Sequence, residues 1–261
     1  MRMYKAHAYG NDFLFVPEED VAARDAAELA RAACNRHRGA GADGLITYRA
    51  GVQGASMKLY NADGSRAEVS GNGVRCLAAL LIRAGADRGA PLVIESDGGT
   101  KRLTLLGESG REYLFRAFMG DPERIQRATL DVGGQPVSVV TLWMGNPQCV
   151  CLDEPLDDDT FHRLGAALER HPAFPNRTNV ELARVEAPDR IRIRIWERGV
   201  GPTESSGTGS CAAAAAAAVF GGAGRDVEVM APGGTQRVEW REDGMYLTGS
   251  AHIVLEGRWL A

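Results

Sequence analysis

The chain is dominated by short runs in which apolar and polar residues alternate or β-branched residues cluster. Such a period-two pattern predicts β-strands. It occurs at Asp12–Val16, Leu92–Glu95, Arg102–Leu106, Val137–Leu142, Arg190–Trp196, Val227–Met230 and Met245–Thr248. Glycine-bearing turns separate these runs. Against this background stand two stretches rich in small and apolar residues, Val74 to Ala84 and Ser210 to Phe220, which read as helices, one dominant and internal in each half of the chain. Glycines at Gly85 and Gly221 follow them, as helix C-terminal caps require. Two further segments, Asp20 to Asn35 and Asp158 to Arg170, carry the periodicity of amphipathic helices.

The pattern repeats. Glu68-Val-Ser70-Gly71-Asn72-Gly73 is echoed 136 residues later by Glu204-Ser-Ser206-Gly207-Thr208-Gly209, and an internal helix follows each. Gly10-Asn11 aligns with Gly145-Asn146 at an offset of 135. At the same offset, Gly98-Gly99-Thr100-Lys-Arg102 aligns with Gly233-Gly234-Thr235-Gln-Arg237. This period is far too long for a solenoid. It predicts a duplicated α+β protein of two similar, pseudo-symmetric lobes, mostly strands with one dominant internal helix each. The N-terminal lobe is expected over 1–120, taking back the last strand at about 248–261, and the C-terminal lobe over 121–247, with no flexible linker.

Composition narrows the function classes. At 261 residues, 44% hydrophobic and 25% charged, the chain is average for a soluble globular protein. A net charge of −4 argues against a nucleic-acid footprint. The start, MRMYKAHAYG, lacks a signal-peptide apolar run, and the Ala-rich run Cys211 to Phe220 is too short to span a bilayer. The cysteines Cys34, Cys76, Cys149, Cys151 and Cys211 are odd in number and fit no zinc or disulfide spacing. A reduced, cytoplasmic chain is expected. Gly39-Ala-Gly41-Ala-Asp-Gly44 fits a dinucleotide fingerprint but follows a helix-like segment and a basic turn, not a strand. The five histidines show no metal-ligand spacing.

The repeated block carries the candidate chemistry. In each copy a serine precedes Gly-x-Gly at the start of a helix. Glycines there leave backbone N–H groups open, and the helix N-terminus is partly positive, so each copy suits a carboxylate or a developing oxyanion. Two such groups facing each other across one cleft would suit removal of a proton from one face of a carbon and its return to the other. A single copy is equally an ordinary serine N-cap over a tight turn; two symmetric copies favour a site.

Asn61-Ala-Asp-Gly64-Ser-Arg-Ala-Glu68-Val-Ser70-Gly71-Asn72-Gly73-Val-Arg75-Cys76 resembles the signature of the diaminopimelate epimerases, as does Glu197-Arg198-Gly199-Val-Gly201 running into Ser206-Gly207-Thr208-Gly209. His7 to Phe13, Gly41-Ala-Asp43-Gly44, Gly145-Asn146-Pro147 and Arg177-Thr-Asn179-Val-Glu181 match in the same order, so the resemblance runs from about Lys5 to the end. It implies a fold of two lobes, each a curved, mostly antiparallel sheet around a central helix, and a homodimer. It implies cofactor-independent interconversion of LL- and meso-2,6-diaminopimelate in lysine and peptidoglycan synthesis, without metal or pyridoxal phosphate. By position, Asn11, Asn61, Asn146, Asn179, Glu197 and Arg198 would hold the distal amino-acid end of the substrate. Asn72, with the N–H groups of Gly71, Gly207 and Thr208, would grip the carboxylate at the reacting carbon.

The resemblance breaks at the reacting groups. The family has a cysteine before each Gly-x-Gly, one thiolate taking the α-proton and the opposing thiol returning one; here the acting positions are Ser70 and Ser206. A serine hydroxyl is far harder to ionise and needs an adjacent base. Gln148 stands where the family usually has histidine. The serines are either replacements of two cysteines or the mark of a natural branch, and the change at Gln148 favours the branch. Glu68 and Glu204 each lie two residues before a serine, sharing its face in an extended segment, and are candidate bases. Two alternatives stand beside the epimerase: a protein that binds diaminopimelate without turning it over, and an isomerase of the wider superfamily using Glu68 or Glu204 as a single base.

Overall fold

A computed structural model describes residues 1–21 and 24–260. The chain divides into two compact units, Met1–Phe118 with Gly249–Ala261, and Met119–Thr248.

The first unit contains β1 (Arg2–Ala8), β2 (Asn11–Pro17), the short α1 (Glu18–Val21), α2 (Ala26–Ala33), β3 (Gly44–Gly51), β4 (Gly54–Asn61), β5 (Arg66–Ala67), α3 (Gly71–Arg83), β6 (Leu92–Ser96), β7 (Gly99–Ser109) and β8 (Glu112–Gly120). Neighbouring strands pair antiparallel except at β2–β3 and β4–β6, which are parallel. Parallel neighbours need a crossover; α2 lies in the first and α3 in the second. Helix α3 is buried from Gly71 to Ile82. The amphipathic α2 covers the sheet with Leu29, Ala30 and Ala33, packing against Leu14, Val16 and Leu45.

The second unit repeats this plan. It contains β9 (Glu123–Val132), β10 (Gln135–Trp143), β11 (Pro147–Cys151), α4 (Asp158–Glu169), β12 (Asn179–Ala187), β13 (Arg190–Glu197), β14 (Gly201–Thr203), α5 (Gly207–Ala216), β15 (Asp226–Ala231), β16 (Gly234–Arg241) and the start of β17 (Gly244–Arg258). Again two pairs are parallel, β11–β12 and β13–β15, with α4 and α5 in the crossovers. All ten residues of α5 are buried. Its side chains are almost all alanine-sized, so a helix with no polar face is surrounded by strands on a small radius; α5 contacts β10, β11, β12, β13, β15 and β16. The two units therefore share one α+β plan: a mostly antiparallel sheet built around one internal helix.

The end of β17 belongs to the first unit. It pairs antiparallel with β1 from Arg2↔Arg258 to His7↔His252, with a bulge between Lys5 and Ala6. Backbone bonds between Met1 and Trp259 close that end.

Two expectations need correction. The segment Asp20 to Asn35 is not one helix. Its residues 22 and 23 lie outside the described residues, and α2 starts only after Asp25, whose carboxylate accepts from the N–H groups of Ala27 and Glu28. A capping aspartate fixes a helix start more strongly than apolar periodicity extends it. The second internal helix is capped by Gly222 and not by Gly221: Ala217–Gly221 forms a π-turn, and Gly222 takes the left-handed φ of 75°. In the first unit Gly85 has the positive φ, 103°. No helix among the described residues is long and apolar enough to cross a membrane.

Candidate active site

Each internal helix starts on a serine. Ser70 is extended (φ −126°, ψ 122°), and its Oγ accepts from the Gly73 N–H at 3.1 Å. Ser206 has almost the same backbone (φ −140°, ψ 129°) and accepts from the Gly209 N–H at 3.1 Å. Both are nearly buried, at 5% and 7% exposure. Each hydroxyl therefore takes one amide proton of the first helical turn and keeps its own proton to donate. Both glycines stand in crowded positions. A Cβ at Gly73 would sit 2.7 Å from Ile46 Cδ1, and one at Gly209 would sit 2.6 Å from Glu181 Oε1.

In the first unit Asn11 and Asn72 are brought together. Asn72 Nδ2 donates to Asn11 Oδ1 at 3.0 Å, and Asn11 Nδ2 donates to Asp43 Oδ2 at 2.9 Å. At the far end, the fully buried Arg75 donates to Asn72 Oδ1. A carboxylate and a guanidinium thus fix both amides: nitrogen toward Asp43, oxygen toward Arg75. Asp43 shares Arg36 with Asp12, at 2.8 Å to each. Burial works against ionisation of Asp12, but hydrogen bonds from Arg36 and Lys5 outweigh it and hold its carboxyl below the ordinary value. Asp43 is pushed up by burial and then by the charge of Asp12. Asn61 ends β4 and bonds within its own turn, Nδ2 donating to Ser65 Oγ at 3.0 Å.

In the second unit Asn146 takes the place of Asn11 and Thr208 that of Asn72. Asn146 Nδ2 donates to Thr208 Oγ1 at 3.3 Å, and Thr208 Oγ1 lies 3.5 Å from Ser206 Oγ. Gln148 Nε2 donates to Asn146 Oδ1 at 2.5 Å. The oxygen end of the Gln148 amide lies 2.9 Å and 3.3 Å from the two carboxyl oxygens of Glu181. Glu181 has no exposed surface. Burial, and then the charge of Glu197, push its carboxyl well above the ordinary value. Asn179 forms a separate pair with Arg198, its Oδ1 accepting from the Arg198 N–H at 2.9 Å while its Nδ2 donates to the Pro147 carbonyl at 3.3 Å. The Arg198 side chain donates to the Asn176 carbonyl at 3.2 Å. Glu197 and Arg198 are half-buried at the end of β13. Gly71, Gly207 and Thr208 open the first turns of α3 and α5, where a helix cannot satisfy its own N–H groups.

The acidic residues singled out beside the serines are less well placed. The Glu204 side chain is exposed while Ser206 is buried, and Glu68 is half-buried. The backbone carbonyls of both are engaged, accepting from Gly233 N–H and Gly98 N–H. Cys76 and Cys211 are fully buried inside their helices, and burial pushes the Cys76 thiol up to about 12. No group of three or more His, Cys, Asp or Glu able to hold a metal is found among the described residues. Asp43, Arg75 and Glu181 have no role among the sequence-based expectations. Their signal was available in part: Ile46 and Glu181 stand at the same offset of 135 as the asparagines, one apolar and one acidic, each beneath a helix-starting glycine.

The sequence profile of the family described as "Diaminopimelate epimerase" matches residues 3–125 and 140–254. The diaminopimelate epimerase of Desulforudis audaxviator is 39% identical, over 100% of this chain and 99% of that protein. The diaminopimelate epimerase of Pelotomaculum thermopropionicum is 38% identical, over 99% of each. Among solved structures, a probable proline racemase from Agrobacterium radiobacter superposes with a TM-score of 0.78 at 17% identity, over 99% of this chain and 92% of that one. A hydroxyproline epimerase from Agrobacterium vitis gives 0.73 at 15% identity, over 98% and 91%. At those identities the superpositions speak for the fold alone.

Proposed function

The chain belongs to the diaminopimelate epimerase family, and on that premise we propose that it converts LL-2,6-diaminopimelate to the meso isomer with Ser70 and Ser206 as the groups that exchange the α-proton. It is an isomerase of lysine and peptidoglycan-precursor synthesis. The observation that carries the serine assignment is the matched pair of N-caps: two nearly buried hydroxyls, each on an internal helix, each accepting the same amide at 3.1 Å. Accepted N–H groups and the positive end of a helix both stabilise negative charge on oxygen, which eases proton loss from a hydroxyl.

The substrate has two amino-acid ends. Asn72 and the first-turn N–H groups of Gly71, Gly207 and Thr208 hold the carboxylate at the reacting carbon. Asn11, Asn61, Asn146 and Asn179 hold the distal end, with Glu197 pairing its ammonium and Arg198 its carboxylate. Supporting this division, the asparagines near the helix starts lie in hydrogen-bonded chains of fixed direction, so their amides are preorganised. We place the reaction in the cytoplasm, where the five buried free cysteines suit a reducing compartment, and assign a homodimer from the family resemblance.

The replacement of both thiols favours one second reading, in which the ligand is bound and not turned over. Incubation with LL-diaminopimelate in deuterated water separates the two. Deuterium at Cα together with the meso isomer supports the epimerase; binding without exchange leaves only the ligand site.

A further inference from the structure

The duplicated units differ beneath their serine helices. In the first, the side chain against the Gly73 position is Ile46; in the second, the side chain against Gly209 is Glu181. The two positions correspond in the sheets as well. Gly44 pairs with Phe13 across the parallel β2–β3 ladder, and Asn179 pairs with Gln148 across β11–β12; Ile46 and Glu181 each follow two residues on. One copy thus has a hydrocarbon where the other has a carboxyl group with no solvent.

The hydrogen-bond chain around that carboxyl has two self-consistent directions, and burial of the carboxyl chooses between them. Gln148 Nε2 faces Asn146 Oδ1 at 2.5 Å, so Gln148 Oε1 faces Glu181 at 2.9 Å. Two oxygens at that separation need a hydrogen between them, and Glu181 is the group that carries one when protonated. Turning the Gln148 amide over would let it donate to an ionised Glu181. Its oxygen would then accept from Thr208 Oγ1 at 3.2 Å and, with the Asn146 amide turned as well, from Asn146. A neutral Glu181 satisfies the chain in the other direction, and a carboxyl with no exposed surface favours that one. Burial and the neighbouring Glu197 act in the same direction; the Cys149 thiol, on the adjacent strand, is raised well above its ordinary value by its hydrogen bond with Cys151, by burial, and by the charges of Cys151 and Glu181.

With that proton in place the chain has one direction. Glu181 donates to Gln148, Gln148 to Asn146, and Asn146 to Thr208. Thr208 Oγ1, having accepted, turns its own hydrogen to Ser206 Oγ at 3.5 Å, which also accepts from Gly209 N–H. Both acceptor positions of Ser206 are then filled, and its own proton points away from the protein network. In the first unit the polarity is opposite, since the amide nitrogens of Asn72 and Asn11 run toward an acceptor, Asp43.

We propose that Glu181 is a positioning residue that holds a proton and so orients Gln148, Asn146 and Thr208 to present the Ser206 hydroxyl as the proton-donating side of the reaction. This rests on the epimerase reading given above. In the donating step, after Ser70 has taken the α-proton and left its electron pair on Cα, the Ser206 O–H bond breaks and its proton joins that pair as the new Cα–H bond; the O–H pair stays on Ser206 Oγ, held by the Gly209 and Thr208 donors. Loss of the Glu181 proton would reverse the Gln148 amide and withdraw the Thr208 donor.

The test uses the full-length protein, Glu181→Gln and Glu181→Met. Glutamine keeps a donor that cannot titrate; methionine keeps the volume and removes the donor. Deuterium exchange at Cα should fall in the wild type as pH rises through the Glu181 ionisation, and Glu181→Gln should lack that alkaline limb. Glu181→Met should lower kcat about 10- to 100-fold with little change in KM. Retention of the limb in Glu181→Gln overturns the proposal. A second measurement does not depend on turnover. The infrared carbonyl band of a neutral buried carboxyl should be present at neutral pH, vanish in Glu181→Gln and shift in Ser206→Ala. Absence of the band in the wild type refutes the proton assignment even in an active enzyme. A band with these properties in a protein that shows no exchange would sustain the assignment and reject the epimerase reading instead.

Discussion

Substituting alanine for the two helix-starting glycines should have unequal effects. Both positions have ordinary helical backbone, so alanine gains about 1 kcal/mol of helix propensity at each. At Gly73 the new methyl would meet Ile46 Cδ1 at 2.7 Å and then nothing closer than 3.4 Å. The obstacle is the free end of a flexible side chain, and overpacking of this kind costs about 1–3 kcal/mol. The net loss for Gly73→Ala is then about 1 kcal/mol. At Gly209 the methyl would meet Glu181 Oε1 at 2.6 Å and Ser206 Cβ and Oγ at 3.1 Å. The carboxyl cannot swing away without leaving Gln148, and breaking a buried hydrogen bond adds about 1–3 kcal/mol. Gly209→Ala should therefore lose about 3 kcal/mol. Urea unfolding of the two variants at one pH, with midpoints compared at matched slope, measures the difference. A Gly209→Ala protein as stable as Gly73→Ala would refute the claim that a fixed carboxyl lies against that helix start.

Three further outcomes are expected. Replacing Ser70 and Ser206 together by cysteine should raise α-proton exchange by about a hundredfold, because a thiol ionises far more readily than a hydroxyl; unchanged or slower exchange would remove the serines from the chemistry. Asp43→Asn removes the charged acceptor that orients Asn11, and should weaken diaminopimelate binding by about 1.5–3 kcal/mol in calorimetry, whereas an unaltered Kd would show that the Asn11–Asn72 chain does not hold ligand. Glu181, raised in the folded chain, binds a proton there that the unfolded chain releases above its ordinary value of 4.5. Stability should accordingly be full below that value and fall as pH climbs toward the folded ionisation, by up to about 1.4 kcal/mol per pH unit. Urea titrations across pH should show this slope reduced in Glu181→Gln, and identical slopes would contradict the neutral carboxyl.

The α+β plan and its duplication were legible because each rests on local signals that recur: a serine before Gly-x-Gly, an all-apolar helix, alternating strands. Each constrains its own few residues, and the offset multiplies them. The misread helix at Asp20 to Asn35 fails for a related reason, since apolar spacing carries across a break that one capping carboxylate at Asp25 imposes. At the end of the second internal helix a π-turn moves the cap from Gly221 to Gly222 without altering composition. The chain ending at Ser206 was not legible. Glu181 lies in a strand buried on both faces over its first five residues, so no alternation of apolar and polar positions marks it. Only the parallel register of β11 and β12 sets it beside Gln148, and only the missing Cβ at Gly209 admits its oxygen. Glu204, chosen for its sequence distance from Ser206, is exposed because closeness along the chain does not fix which way a turn directs a side chain.

The pairing of β1 with the end of β17 has a consequence for biosynthesis. Strand β1 is closed by residues 252–258, which are made after the whole of the second unit. The first unit therefore begins before the second and is completed after it, with the edge of β1 lacking one neighbour until then. The segment that forms the second unit is contiguous and has emerged in full by Thr248. An N-terminal edge left open for that long is an invitation to mispairing. Moving the β17 segment ahead of β1 by circular permutation would let the first unit finish before the second is made.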